Sequence, residues 1–123
     1  MAFMTARKQA IGRGSAKTGT EHHWHMTVTS VALVILIPLF VFTFGPILGS
    51  SYDEVAAYYA RPWPALVAAL TILVSFIHFR GGVQALIEDY TSGLTRKALI
   101  IAMICVSYGA AAAGLLAVVR LAL

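Results

Sequence analysis

The chain has 123 residues, 59% of them hydrophobic and only 11% charged, whereas about a quarter of the residues of a soluble domain are charged. That balance is the balance of a membrane protein, and no stretch between its apolar runs is long enough to bury a soluble core of its own. The single cysteine, Cys105, excludes an internal disulfide and a thiolate-held metal cluster. The formal net charge of +4 is unevenly placed: Arg7, Lys8, Arg13 and Lys17 lie in the first twenty residues, where there is no acid. A basic tail of this kind suits nucleic acid, a mitochondrial transit segment or the cytoplasmic flank of a membrane helix. It lacks interleaved aromatics and an uncharged apolar run follows it, so the flank is preferred and no nucleic-acid partner is expected.

The charge-free runs predict an all-α membrane protein with a basic amino-terminal tail over residues 1–21 and a three-helix anchor over 22–123. The spans are expected at about residues 26–48, 64–88 and 97–120. In the first, Pro38 and Pro46 are expected to bend or end the helix. In the following loop, Ser51 and Glu54 have capping-box spacing and introduce a short helix over Val55 to Ala60, ended before Pro62 and Pro64. Tyr52, Tyr58, Tyr59 and Trp63 read as an aromatic belt at headgroup level. The third span pairs Gly109 with Ala113 and Ala110 with Gly114, small residues four apart that let a neighbouring backbone approach. Tyr108 in that span is expected to make an internal hydrogen bond. Lysine and arginine are concentrated in the tail and at Arg96 and Lys97, against Arg61 alone in the first loop. The amino terminus is therefore expected inside and the carboxyl terminus outside, with Arg120 at the interface.

Four histidines are candidates for chemistry. His22, His23 and His25 cannot all face one point on a regular helix, so they read as an interfacial cluster with Trp24 and not as a zinc site. His78 lies deep in the second span. The eleven residues from His78 to Asp89 return the helix to within ~20° of the same face and separate the two by roughly 16 Å. If Asp89 marks the membrane surface, His78 sits near the middle of a ~30 Å hydrocarbon core, where an ionisable group marks a functional site by default. A packing hydrogen bond to a facing helix, a proton relay and haem ligation all fit it. Gly81 and Gly82, one turn on, leave room for a flat group beside it. As a haem ligand His78 would fill one axial position, and no other histidine in the chain lies at its depth, so the second ligand would come from another subunit. Asp89 and Tyr90 end the same helix. A phenol can donate to a quinone carbonyl and a carboxylate can pass protons, although both residues are also ordinary interfacial anchors. Arg80 points ~200° away from His78 and is expected to snorkel or to meet a charge on a neighbour.

The residues His78, Gly82, Asp89 and Tyr90, in HFRGGVQALIEDY, resemble in identity and spacing the small hydrophobic membrane-anchor subunit of succinate dehydrogenase, respiratory complex II. The segment GSAKTGTEHHWHMTVTSVALV is similar to the start of that family's first span through Gly14, Ser15, Gly19, Thr20, His22, Trp24, Thr29, Ala32 and Leu33. The resemblance implies that His78 is an axial ligand of haem b, its iron shared with a second membrane anchor subunit. It implies that Tyr90 hydrogen-bonds ubiquinone with Asp89 close by, and that electrons arrive from an iron-sulfur subunit fed by a flavoprotein subunit. It also implies a bacterial inner membrane, or less favourably a mitochondrial one, and the short amino-terminal segment leans bacterial. Thr27 stands where the family commonly has an arginine associated with the haem propionates or the quinone pocket; either His25 or an arginine of a partner then takes that role, or the pocket has less positive potential. An anchor of a quinol:fumarate reductase and a non-redox membrane adaptor remain alternatives. A proton-coupled transporter ranks last, because only the second span carries ionisable residues at depth.

Overall fold

In the computed structural model, residues 5–7 and 19–123 are described. Most of the basic tail, including Lys8, Arg13 and Lys17, lies outside the described residues. The rest is helical. Helix α1 (Gly19–Phe44) runs into a 3-10 turn (Gly45–Ile47), followed by short α2 (Tyr52–Tyr59), then α3 (Pro62–Tyr90) and α4 (Gly93–Ala122). Among the described residues, three segments are long and apolar enough to cross a membrane: Thr20–Ile47, Pro62–Tyr90 and Gly93–Ala122.

Helix α3 is the central element, with α1 packed along one side and α4 along the other, while α2 rests on α3 and α4. Helix α1 turns the stripe Met26, Thr29, Leu33, Leu36 and Phe40 inward at spacings of three and four, the period of one helical face. Its opposite face, with Val31, Val34, Ile35 and Phe42, stays exposed. In water such a surface would drive aggregation; against lipid tails or another membrane helix it is at rest. Pro38 lies inside α1 and does not end it, whereas Pro46 falls in the 3-10 turn that does. Bundled neighbours commonly tolerate proline within a membrane helix.

The Ser51 capping box forms as its spacing predicts. The Ser51 hydroxyl accepts from the Glu54 amide at 3.4 Å, and the Glu54 carboxylate accepts from the Ser51 amide at 2.9 Å. The Ser51 amide and the Ser51 hydroxyl, which donates to the same carboxylate at 3.1 Å, hold the Glu54 carboxyl below its usual range. The helix begins at Tyr52 rather than Val55, because the cap satisfies the first-turn amides there. The aromatic belt is thinner than expected. Tyr59 is only 5% exposed and packs edge-on against Tyr58, leaving Tyr52 and Trp63 to face outward. Burial pushes the Tyr59 phenol above its ordinary range.

The turn from α3 to α4 is short and well bonded. The Thr91 hydroxyl donates to the Ile87 carbonyl at 2.6 Å, and Arg96 Nε donates to the Thr91 carbonyl at 2.7 Å. A last-turn carbonyl thereby gains a cationic donor. Gly93 opens α4 with φ +62°, a left-handed conformation that favours glycine.

Helix α4 meets α3 through Met103, Ser107 and Ala111, four residues apart, with Gly114 continuing the line. A Cβ on Gly114 would lie 3.1 Å from Ile72 Cγ2, whereas one on Gly109 would meet nothing. Of the two small-residue pairs in the sequence, only Gly114 thus closes against α3; Gly109 and Ala113 turn away from it, because the helical period places them off the Ser107 stripe. Gly114→Val is therefore expected to destabilise the detergent-solubilised protein by ~1–3 kcal/mol through overpacking. Gly109→Ala should stay within about 0.5 kcal/mol of the parent. Denaturant titration followed by circular dichroism checks both.

Candidate functional site

Where α1 crosses α3, two side chains meet that local sequence would not pair. His78 Nδ1 lies 2.9 Å from Thr29 Oγ1. The same hydroxyl reaches back to its own helix, 2.8 Å from the His25 carbonyl and 3.1 Å from the Met26 carbonyl. No other hydrogen-bond partner of His78 occurs among the described residues. No half-buried polar side-chain atom is both enclosed and unpaired, so Nε2, which has no partner, is open to the surroundings.

His78 also lines a shallow groove of about 370 Å³ with Ser30, Leu33, Val34, Ile37 and Pro38 of α1. Apart from Ser30 and the imidazole, this wall is aliphatic. A second cavity of about 430 Å³ lies toward the start of α1, where His22, His25, Arg80, Gln84 and Tyr108 line it with Met26 and Gly81. Thr29, which bonds His78 of the first groove, also lines this second cavity.

The room expected beside the glycines is partly taken. A Cβ on Gly81 would lie 2.5 Å from Met26 Sδ, so the missing side chain admits this thioether and brings α1 close to α3. Within the chain, Arg80 meets Tyr108. Its Nη1 donates to the Tyr108 hydroxyl at 2.8 Å, and its guanidinium sits 5.6 Å from that ring's centroid. The internal hydrogen bond expected of Tyr108 is thus made, to a cation on α3. The phenol offers the guanidinium both an acceptor oxygen and a π face.

Asp89 and Tyr90 sit at the last turn of α3, Tyr90 81% exposed and Asp89 exposed, neither with a hydrogen-bond partner among the described residues. The fold does not bring them to His78. His22, His23 and His25 are exposed at the start of α1, and no group of three metal-ligating side chains occurs among the described residues. Thr27 is exposed and bonds back to the His23 carbonyl at 3.0 Å, while Cys105 is exposed.

A family model described as "Succinate dehydrogenase/Fumarate reductase transmembrane subunit" matches residues 1–112. The chain belongs to this family. A relative, the succinate dehydrogenase hydrophobic membrane anchor subunit of Paracoccus denitrificans, is 44% identical over 123 residues, covering 100% of this chain and 95% of that protein. No solved structure matches. The chain is thus a multi-pass membrane anchor subunit of an oxidoreductase complex, and its partners are the other subunits and the bilayer.

Two polar contacts of this anchor are not directly legible in the sequence: that of Thr29 with His78 and that of Arg80 with Tyr108. A signal for Thr29 existed: it is the hydroxyl residue on the inward stripe of α1. It lies about 14 Å from Thr20 along α1, and His78 lies about 18 Å from Tyr90 along antiparallel α3, which are similar depths. Arg80 and Tyr108 share no such register cue, because their meeting depends on how α4 leans on α3. A double-mutant cycle with Arg80→Met and Tyr108→Phe is expected to return a coupling of ~0.5–2 kcal/mol in detergent unfolding. Additive effects would show that the pair contributes nothing together.

Proposed function

We propose that this chain is the hydrophobic anchor of a succinate:quinone oxidoreductase, in which His78 is one axial ligand of haem b and Tyr90 with Asp89 forms part of a ubiquinone site. The observation that carries the haem reading is the division of labour on one imidazole: Nδ1 is engaged by Thr29 and Nε2 is open. An unpaired ring nitrogen facing hydrocarbon costs about 1–3 kcal/mol. Iron coordination removes that cost and uses the lone pair, and the donor set fits, since a neutral imidazole is a common axial ligand of haem. The aliphatic residues Leu33, Val34, Ile37 and Pro38 line the groove with His78 and offer an apolar wall for the macrocycle. Haem bound there would supply a one-electron store between the iron-sulfur subunit and quinone. The other axial ligand belongs to a second membrane anchor subunit, because His22, His23 and His25 are exposed and lie about one to two turns nearer the start of α1 than Thr29, the residue that meets His78.

Reducing ubiquinone takes two electrons and two protons. Tyr90, exposed at the end of α3, has its phenol free to donate to a quinone carbonyl, and Asp89 beside it can relay protons from water. Succinate itself is oxidised elsewhere, by a flavoprotein subunit that feeds the iron-sulfur subunit. Both dock on the inner side, the side that the lysines and arginines of the basic tail, Arg96 and Lys97 favour for the amino terminus and the α3–α4 turn. The relative's printed name supports the succinate direction. The membrane is the bacterial inner membrane.

Two measurements test the two halves of this reading. In the complex purified with its native partners, His78→Ala is expected to abolish or shift the reduced-minus-oxidised b-haem signal; an unchanged signal would remove His78 from the iron. Tyr90→Phe is expected to slow ubiquinone reduction by about tenfold or more while succinate oxidation by a soluble artificial acceptor stays near the parent rate. Equal loss in both assays would point to failed assembly.

A further inference from the structure

The Thr29 hydroxyl has one proton and two backbone carbonyls within reach, those of His25 and Met26. Threonine in a helix commonly bonds back in this way, because the carbonyls one turn earlier are already aligned with its side chain. The His25 carbonyl, at 2.8 Å, makes the shortest of the hydroxyl's three contacts. With the proton given to the backbone, Thr29 Oγ1 faces His78 Nδ1 at 2.9 Å as an acceptor, so the imidazole must be the donor. The converse arrangement, with the hydroxyl donating to Nδ1, would leave both carbonyl contacts without a proton and put the ring proton on Nε2.

We infer that Thr29 is a positioning residue for His78: it holds the imidazole as the Nδ1–H tautomer and presents the Nε2 lone pair for coordination. This rests on the reading of His78 as a haem ligand. The imidazole–hydroxyl pair works as an outer-sphere hydrogen bond does at other metal sites, fixing ring orientation and making the ligating nitrogen a stronger donor. A stronger donor stabilises ferric over ferrous iron, so the bond sets the haem's potential lower than an unbonded imidazole would. The backbone enters the same chain, because the His25 and Met26 carbonyls draw the hydroxyl proton away from His78. The orientation of a ligand on α3 is thereby set by the first turns of α1, through a residue that touches neither iron nor quinone.

The test is Thr29→Val, which keeps the β-branched shape and removes the oxygen, together with Thr29→Ser, which restores it. Both are made in the complete complex. In Thr29→Val, haem retained per complex on gel filtration is expected to fall about tenfold faster under detergent challenge. Its midpoint potential is expected to rise and its low-spin ferric resonance to shift, with Thr29→Ser close to the parent on all three. A potential and a ferric spectrum in Thr29→Val that match the parent would overturn the inference. The parent and His78→Ala are measured alongside. If the haem signal survives His78→Ala unchanged, the ligand reading itself fails; if it is lost there and Thr29→Val is silent, only the role of Thr29 fails.

Discussion

A polar side chain in hydrocarbon has no water to fall back on, and each unpaired group costs of the order of kilocalories per mole. That constraint organises this small bundle. Its three long helices expose most of their apolar surface, and lipid gives apolar faces no reason to prefer one another. Helix α3 carries the polar residues that need partners, and each neighbour answers one of them: Thr29 of α1 meets His78, and Tyr108 of α4 meets Arg80. Close packing does the remainder, with Met26 filling the notch at Gly81 and Ile72 seated against Gly114. Deep in the α3–α4 contact, Thr71 bonds back to the Val67 carbonyl at 2.7 Å and Ser107 reaches Met103 Sδ at 3.7 Å, so hydroxyls there are also paired.

The same constraint explains why the haem reading is an incomplete site and not a pocket. An enclosed histidine would have both nitrogens paired within the chain. His78 has one, and the groove beside it has a wall only on the α1 side. On the proposed reading, what closes it in the complex brings an electron-pair acceptor for Nε2 and an apolar surface, and a haem ligated from a second membrane subunit has both properties. The exposed face of α1, with Val31, Val34, Ile35 and Phe42, is free for such contacts.

Much of the architecture was legible in the sequence. Span number follows from the lengths of the charge-free runs, the capping box of α2 follows from Ser51 and Glu54, and the end of α1 follows from Pro46, because each depends on local chemistry. Pairings between spans were less legible. Spacing puts Gly109 and Ala113 on one face of α4 as readily as it puts Ser107 and Ala111 on another, and only the rotation of α4 against α3 chooses between them. Tyr59 read as a belt residue for the same reason: its identity fits the headgroup layer, but its position in α2 turns it toward the other helices. At the site, His78 stood out through its depth in an apolar run. Thr29 did not, since a hydroxyl that bonds its own backbone is ordinary in a membrane helix and its importance lies in what stands opposite.

The central claim, that this chain offers Nε2 of His78 to iron while Nδ1 stays with Thr29, is tested most directly by pulsed electron paramagnetic resonance of the ferric haem in the complete complex. Histidine in this chain alone would carry nitrogen-15 at either Nε2 or Nδ1. Label at Nε2 is expected to give the strong hyperfine coupling of a directly bound nitrogen, and label at Nδ1 only the weak coupling of the remote one. Strong coupling from Nδ1, or none from either label, would contradict it.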